Sequence, residues 1–145
     1  MVVPGRYQVS LTAGTWTQTR PLEIKLDPRV AAAGVSQTDL EELFDLQIKA
    51  LAGQAEARQL GERLGKALAA AKADPAKAKA LQALHDRVVT APVVYPQGML
   101  IDQFGNLSRM IGGAEQNPGK EAWDRYNDLM KEMEAIKADL AKIGM

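Results

Sequence analysis

The stretch TDLEELFDLQIKALAGQAEARQLGERLGKALAAAKA, residues 38–73, contains no proline and only three glycines, Gly53, Gly61 and Gly65. Its apolar and small positions recur at helical spacing: Leu43, Leu46, Ala50, Gly53, Ala57, Leu60, Leu64, Ala67 and Ala71. A neighbouring stripe adds Leu40, Phe44, Ile48, Leu51 and Ala55. The combined face is wider than a two-stranded seam, which predicts contact with two partner helices. Small residues at 50, 53, 55 and 57 leave room for a close helix approach. The helix has two possible N-terminal boxes, Ser36-x-x-Asp39 and Thr38-x-x-Glu41, and the second matches the Ser/Thr-x-x-Glu pattern more closely. At about 1.5 Å per residue the stretch spans roughly 54 Å.

Downstream, proline punctuates the chain. Asp74-Pro75 ends the long helix and starts a second, because Pro75 disfavours helical Asp74 while Asp74 caps well with proline after it. This second helix is expected to reach about Ala91, with Ala78, Leu81, Leu84 and Val88 inside. Pro92–Gly98 is expected to be extended. A third helix, Met99–Ile111, carries Leu100, Phe104, Leu107 and Ile111 on one face and stops at Gly112-Gly113. Asn117-Pro118 repeats the cap-plus-proline device, and the last helix places Ala122, Tyr126, Leu129, Met133, Ile136, Leu140 and Ile143 along one line. The second and third helices, each about 24 Å or less, together match the length of the first. The economical fold is mainly α: an antiparallel three-armed bundle of four helices with its middle arm broken, up–down–up, preceded by a β-hairpin.

Upstream, Tyr7, Val9 and Leu11 alternate with Gln8, Ser10 and Thr12. Ala13-Gly14 reverses the chain, and a second extended run covers Thr15–Leu26, with Leu22, Ile24 and Leu26 on one face. Pro21 lacks a ladder donor and marks an edge strand or a bulge. Val30–Gly34 is a connector, either irregular or a helical turn ended by Gly34. A lone hairpin is marginal in water. It therefore either packs on the helices or is the last part of a β-sandwich whose earlier strands lie elsewhere; the second reading is adopted. The domains are accordingly 1–29, hairpin, and 30–145, helical bundle.

Composition narrows the function classes. Of 145 residues, 46% are apolar and 25% charged, the ordinary globular balance, and eighteen basic residues cancel eighteen acidic ones. No basic stripe faces a phosphate backbone, so nucleic acid is not an expected partner. Cysteine is absent, which removes disulfides and thiolate metal sites. No apolar run is long enough for a membrane-spanning helix. Met1–Gly5 lacks the charged and apolar regions of a signal peptide; an exported parent would carry its signal outside this chain.

Each candidate for chemistry has a simpler structural account. His85 is the single histidine, so it lacks a second imidazole for a metal or a partner pattern for a triad. Glu41 and Glu42 point apart on a helix, and Asp124/Asp128 sits beside Arg125 as surface charge. Gly105 and Gly112-Gly113 match no phosphate-cradling motif. Asp27-Pro28-Arg29 reads as a strand stop, with Arg29 paired to Asp27 or reaching a nearby carbonyl, rather than a carboxylate–guanidinium site. Tyr7, Trp16, Tyr95 and Trp123 could form a stacking platform or partner contact, but core or interdomain packing is the preferred account. Met99, Met110, Met130 and Met133 read as gap-fillers. No catalytic, cofactor-binding or metal-binding residue is assigned, and no cofactor is expected.

Two segments carry a resemblance. Pro4-Gly5-x-Tyr7-x-Val9-x-Leu11, followed by Pro21-Leu22-x-Ile24-x-Leu26-Asp27-Pro28-Arg29, resembles the end of a fibronectin/immunoglobulin-like sandwich. Its junction with a long helix is similar to one in bacterial exported proteins of the sortilin-like, BNR-repeat glycosyl hydrolase type. Tyr95-Pro96-x-x-Met99-Leu100-x-Asp102-Gln103 and Asn117-Pro118-Gly119 are similar to the helical tail of that family. The resemblance implies a non-catalytic C-terminal structural or interaction module of a β-propeller protein, periplasmic or extracellular, whose partner is the propeller and sandwich part or another protein. Any catalytic elements would belong to the propeller, of which no repeat occurs in this chain. The alternative, from the residues alone, is a free-standing cytoplasmic helical protein that self-associates as a homodimer through the long helix. A small enzyme is the third reading, and no constellation supports it.

Overall fold

The computed structural model describes residues 2–144. Two antiparallel strands, β1 (Gly5–Ala13) and β2 (Trp16–Ile24), precede a five-residue helix α1 (Pro28–Ala32), the long helix α2 (Gln37–Ala70), α3 (Pro75–Val88), α4 (Leu100–Ile111) and α5 (Gly119–Lys142). A 3-10 turn, Ala71–Ala73, closes the end of α2. The chain is mainly helical behind an N-terminal hairpin, and the bundle is up–down–up with a broken middle arm.

Contacts along α2 fix the direction of the other arms. Space for a Cβ at Gly61 is taken by Val89 at 2.9 Å and by Val88 and Ile101 at 3.5 Å, so this glycine lies where α3 hands over to α4. Further back, a Cβ on Gly53 would lie 2.5 Å from the ring of Phe104. Gly112, just past α4, meets the amide of Gln47. Residues 61, 53 and 47 thus face 101, 104 and 112 in turn, an antiparallel arm in two pieces. The last arm runs back alongside α2: Asn117 reaches Asp39, Lys49 lies 5.8 Å over the Trp123 ring, and Lys137 pairs with Glu56.

The first apolar stripe is the core. Leu43, Leu46, Ala50, Ala57, Leu60, Leu64, Ala67 and Ala71 are buried with Leu81, Leu84 and Val88 of α3, Phe104 and Leu107 of α4, and Leu129, Met133, Ile136 and Leu140 of α5. The second stripe is only partly covered. Leu40 is buried, but Ile48 and Leu51 are 48% and 45% exposed and Ala55 faces out. The expected contact with two partner arms holds, through the first stripe along its length and through the second only in part, at Leu40.

Boundaries differ from expectation for local reasons. Ser36, not Thr38, caps α2: its hydroxyl accepts from the Asp39 N–H at 3.1 Å and the Asp39 carboxylate accepts from the Ser36 N–H at 2.8 Å. Asp39 also accepts from the Asn117 amide at 2.6 Å, so this box ties the start of α2 to the approach to α5, a service Thr38-x-x-Glu41 would not perform. Helix α3 stops at Val88 rather than near Ala91, because Val89 is extended and Thr90 is committed elsewhere. The Thr90 hydroxyl accepts from the Met99 N–H at 2.8 Å and donates to Asp102, which clamps the two halves of the middle arm across residues 91–98. Within that loop Tyr95 has φ of 58°, a left-handed conformation where extended backbone was expected, and it is 96% exposed.

Glycine substitutions read the packing directly. Gly53→Ala forces the Phe104 ring to move and is expected to cost about 1–3 kcal/mol. Gly65→Ala meets open space at a helical site and is expected to stabilise by about 0.5–1 kcal/mol. Urea unfolding of the two variants checks the opposite signs. The Asn117 amide, then the Ser36 hydroxyl and N–H, lower Asp39 from 3.8 to about 2. A depressed carboxylate stabilises the fold fully above its ordinary value and loses that contribution as pH falls through the folded one. The stability difference between the parent and Asp39→Asn is therefore expected to be constant above pH 3.8 and to shrink towards pH 2, as measured by unfolding across that range.

Candidate functional site

The hairpin is the feature that the bundle does not absorb. Its strands pair in unbroken register from Gly5–Ile24 to Ala13–Trp16, without the bulge that Pro21 might have required. The two-residue reversal has positive φ at Gly14, 61°, and not at Thr15, the type II′ pattern that suits strand twist. Alternation then sorts the faces. Tyr7, Val9, Leu11, Trp16, Leu22 and Ile24 share one side with Arg20, opposite Val9, and Gln18, opposite Leu11. The other side carries hydroxyl pairs, Ser10–Thr19 at 2.7 Å and Thr12–Thr17 at 3.0 Å, together with Arg6 opposite Glu23.

Neither strand packs on a helix. On the apolar side Tyr7 is 37% exposed, Leu22 45%, Trp16 50%, Val9 51% and Leu11 63%. Five large apolar side chains left open, with Arg20 and Gln18 among them, form the kind of patch that marks an interaction surface, whereas single exposed residues do not. Just past β2, Asp27 caps α1, accepting from the Arg29 N–H at 2.8 Å and from its guanidinium at 2.7 Å, and just before β1 Pro4 is buried. These bonds, the side-chain one first, lower Asp27 to about 2. Pro28 occupies the first turn, and Leu26 and Val35 rest on the core.

The remaining sequence candidates are scattered. Trp123 packs edge-to-face on Tyr126, which in turn meets the edge of Phe104, both at 6.4 Å, so it belongs to the bundle. Tyr7 and Trp16 share the hairpin face, and Tyr95 stands alone on its loop; no common aromatic platform forms. Trp16, for which packing was expected, is half exposed within this chain. Met133 is buried and Met130 lies against the core, while Met110 is 75% exposed and fills no gap.

His85 lies in a groove with Arg58 and Glu62; its buried Nδ1 has no hydrogen-bond partner, and Asp86 is 3.6 Å away. Glu41 accepts from Gln37, Asp124 pairs with Lys120, and Arg125 donates to Gln103 at 2.5 Å rather than to Asp128. Gly105 packs on the Gln54 amide. Among the described residues no group of three or more His, Cys, Asp or Glu is placed to hold a metal, and no helix is long and apolar enough to cross a membrane.

Fold and site together define a class: a helical bundle that displays a β-hairpin with one uncovered apolar face. The chain matches no family model, curated protein or solved structure with which it was compared.

The open face gives a direct stability expectation. Val9→Ser and Leu11→Ser contact nothing in the bundle, so its unfolding free energy is expected to change by less than about 0.5 kcal/mol. Leu64→Ala, fully buried, is expected to cost about 2–5 kcal/mol. Thermal or urea unfolding followed by helical circular dichroism separates the two.

Proposed function

We propose that this chain is a non-catalytic structural and interaction module whose hairpin joins a β-sandwich of a larger exported protein, while the helical bundle is carried as a preformed appendage. The observation that carries the reading is the uncovered face of Tyr7, Val9, Leu11, Trp16 and Leu22. A two-stranded sheet gains independent stability from a third strand or an apolar layer, and the bundle supplies neither. The resemblance of residues 4–29 to the end of an immunoglobulin-like sandwich, and of residues 95–119 to a helical tail, supports a sortilin-like, BNR-repeat parent and an address outside the cytoplasm. Chemistry, in this reading, resides in the parent's propeller.

A second reading rests on Ile48 and Leu51, which leave part of the α2 stripe open: a free-standing protein that self-associates through that helix. Genomic context tests the first. An upstream reading frame encoding propeller repeats in phase with Met1 is expected, and a stop codon and promoter there would falsify it. Sedimentation of the isolated chain tests the second, which a concentration-independent monomer removes.

A further inference from the structure

The outward side of α2 is ordered by charge along its length. Its exposed residues begin with Glu41, Glu42 and Asp45, continue with Ile48, Leu51, Ala52 and Ala55, and end with Arg58, Arg63 and Lys66. The first group is acidic throughout, the second uncharged and the third basic. Glu62, exposed one turn from both Arg58 and Lys66, lowers the positive group without reversing it. The other helices lie against the buried stripe, and neither strand reaches a helix, so among the described residues this side has no cover. Elsewhere the chain settles its own charges: on α5, Lys120 pairs with Asp124, Lys137 with Glu134 and Glu56, and Lys142 with Asp139. On α2, Asp45 pairs with Lys49 and Glu41 accepts from the neutral Gln37. Among the described residues Glu42, Arg58, Arg63 and Lys66 enter no ion pair.

Such a face is complementary to itself when one copy is reversed. Resting on the reading of α2 as a self-association helix, we infer that a second copy of this chain packs antiparallel along the outward side of α2, about a two-fold axis near Ala52. Reversal about residue 52 sets position 41 against 63 and position 45 against 59. The acidic group of each copy then faces the basic group of the other, and the symmetry makes that match twice. At the centre Ile48 and Leu51 of the two copies meet, and Ala52 and Ala55 let the backbones approach. A parallel pair would instead set acid on acid and base on base. A partner of one charge, acidic or basic, would suit one end of the helix and be repelled by the other. A second copy suits both ends at once. Residues 41–66 cover about 38 Å of helix with a short apolar centre, so the interface lies at the small end of specific interfaces and the dimer is weak and salt-sensitive.

The test is sedimentation of the full chain at low salt from about 10 μM to 1 mM, a range that brackets weak interfaces. Glu41→Lys with Glu42→Lys reverses the acidic group, Arg58→Glu with Arg63→Glu reverses the basic group, and a further protein carries all four changes. Glu121→Lys with Asp128→Lys, on α5, repeats the first change of net charge away from α2. All six sites are exposed, and helical circular dichroism checks that each variant keeps its fold. Each reversal on α2 is expected to weaken the dimer about tenfold or more, the four-site protein to return to within about threefold of the parent, and the α5 variant to match the parent. The chain has no cysteine, so single cysteines report orientation. In an oxidised mixture of Ile48→Cys and Ala55→Cys, the mixed 48–55 disulfide is expected to predominate over 48–48 and 55–55. A parent that stays monomeric throughout overturns the inference together with the self-association reading. So does a dimer that the α2 reversals leave unchanged or that the α5 variant weakens equally. A dimer weakened by the α2 reversals but not restored by all four, or one that gives 48–48 and 55–55 disulfides, overturns the antiparallel arrangement alone and leaves self-association through α2 standing, so the two failures are distinguishable.

Discussion

The ring of Phe104 against the bare backbone of Gly53 is the contact on which the bundle closes. A side chain at Gly53 would occupy the ring's place, so the seating of Phe104 against α2 depends on that Cβ being missing. From Phe104 the edge-to-face sequence passes through Tyr126 to Trp123, and Lys49 over the Trp123 ring returns to α2. One absent methyl group thereby lets three arms share a single aromatic seam. The buried leucines supply bulk apolar area, but they would fill many arrangements; the glycine selects one.

Much of this was legible because helical periodicity and proline act locally. The 3–4 spacing of the first stripe identified the core residues of α2, and Asp74-Pro75 identified the hinge between arms. Comparing helix lengths then yielded the broken middle arm. What escaped was settled by partners distant in sequence. Ser36 and Thr38 offer similar boxes, and the choice depends on Asn117, 78 residues from Asp39. The second stripe looked as apolar as the first, but the other two arms cover only one face of α2, and Ile48 and Leu51 lie beyond their reach. Tyr95 precedes a proline, which argues for extended backbone, and nothing local signals its positive φ.

For the candidate site the balance was different. Alternation alone places Tyr7, Val9 and Leu11 on one side, and two strands are too few for an independent sheet. Whether the bundle covered that face was a tertiary question. Register added what pattern could not: it set Pro21 opposite Gln8 in an unbroken ladder, so the proline brings no bulge to its strand. Because the bundle closes on its own core, the hairpin's apolar side is free of any duty to hold the helices together.

The Thr90 clamp has a consequence for how this chain could change over time. One hydroxyl joins the end of α3 to the start of α4, through the Met99 N–H and Asp102, so the geometry of the middle arm is set at the neck of the loop and not by its contents. Val93, Val94 and Tyr95 are exposed beyond that neck. Residues 91–98 are therefore a place where evolution, or an engineer, can write new sequence while the surrounding helices hold their places. The break in the arm is a port for novelty built into an otherwise closed scaffold.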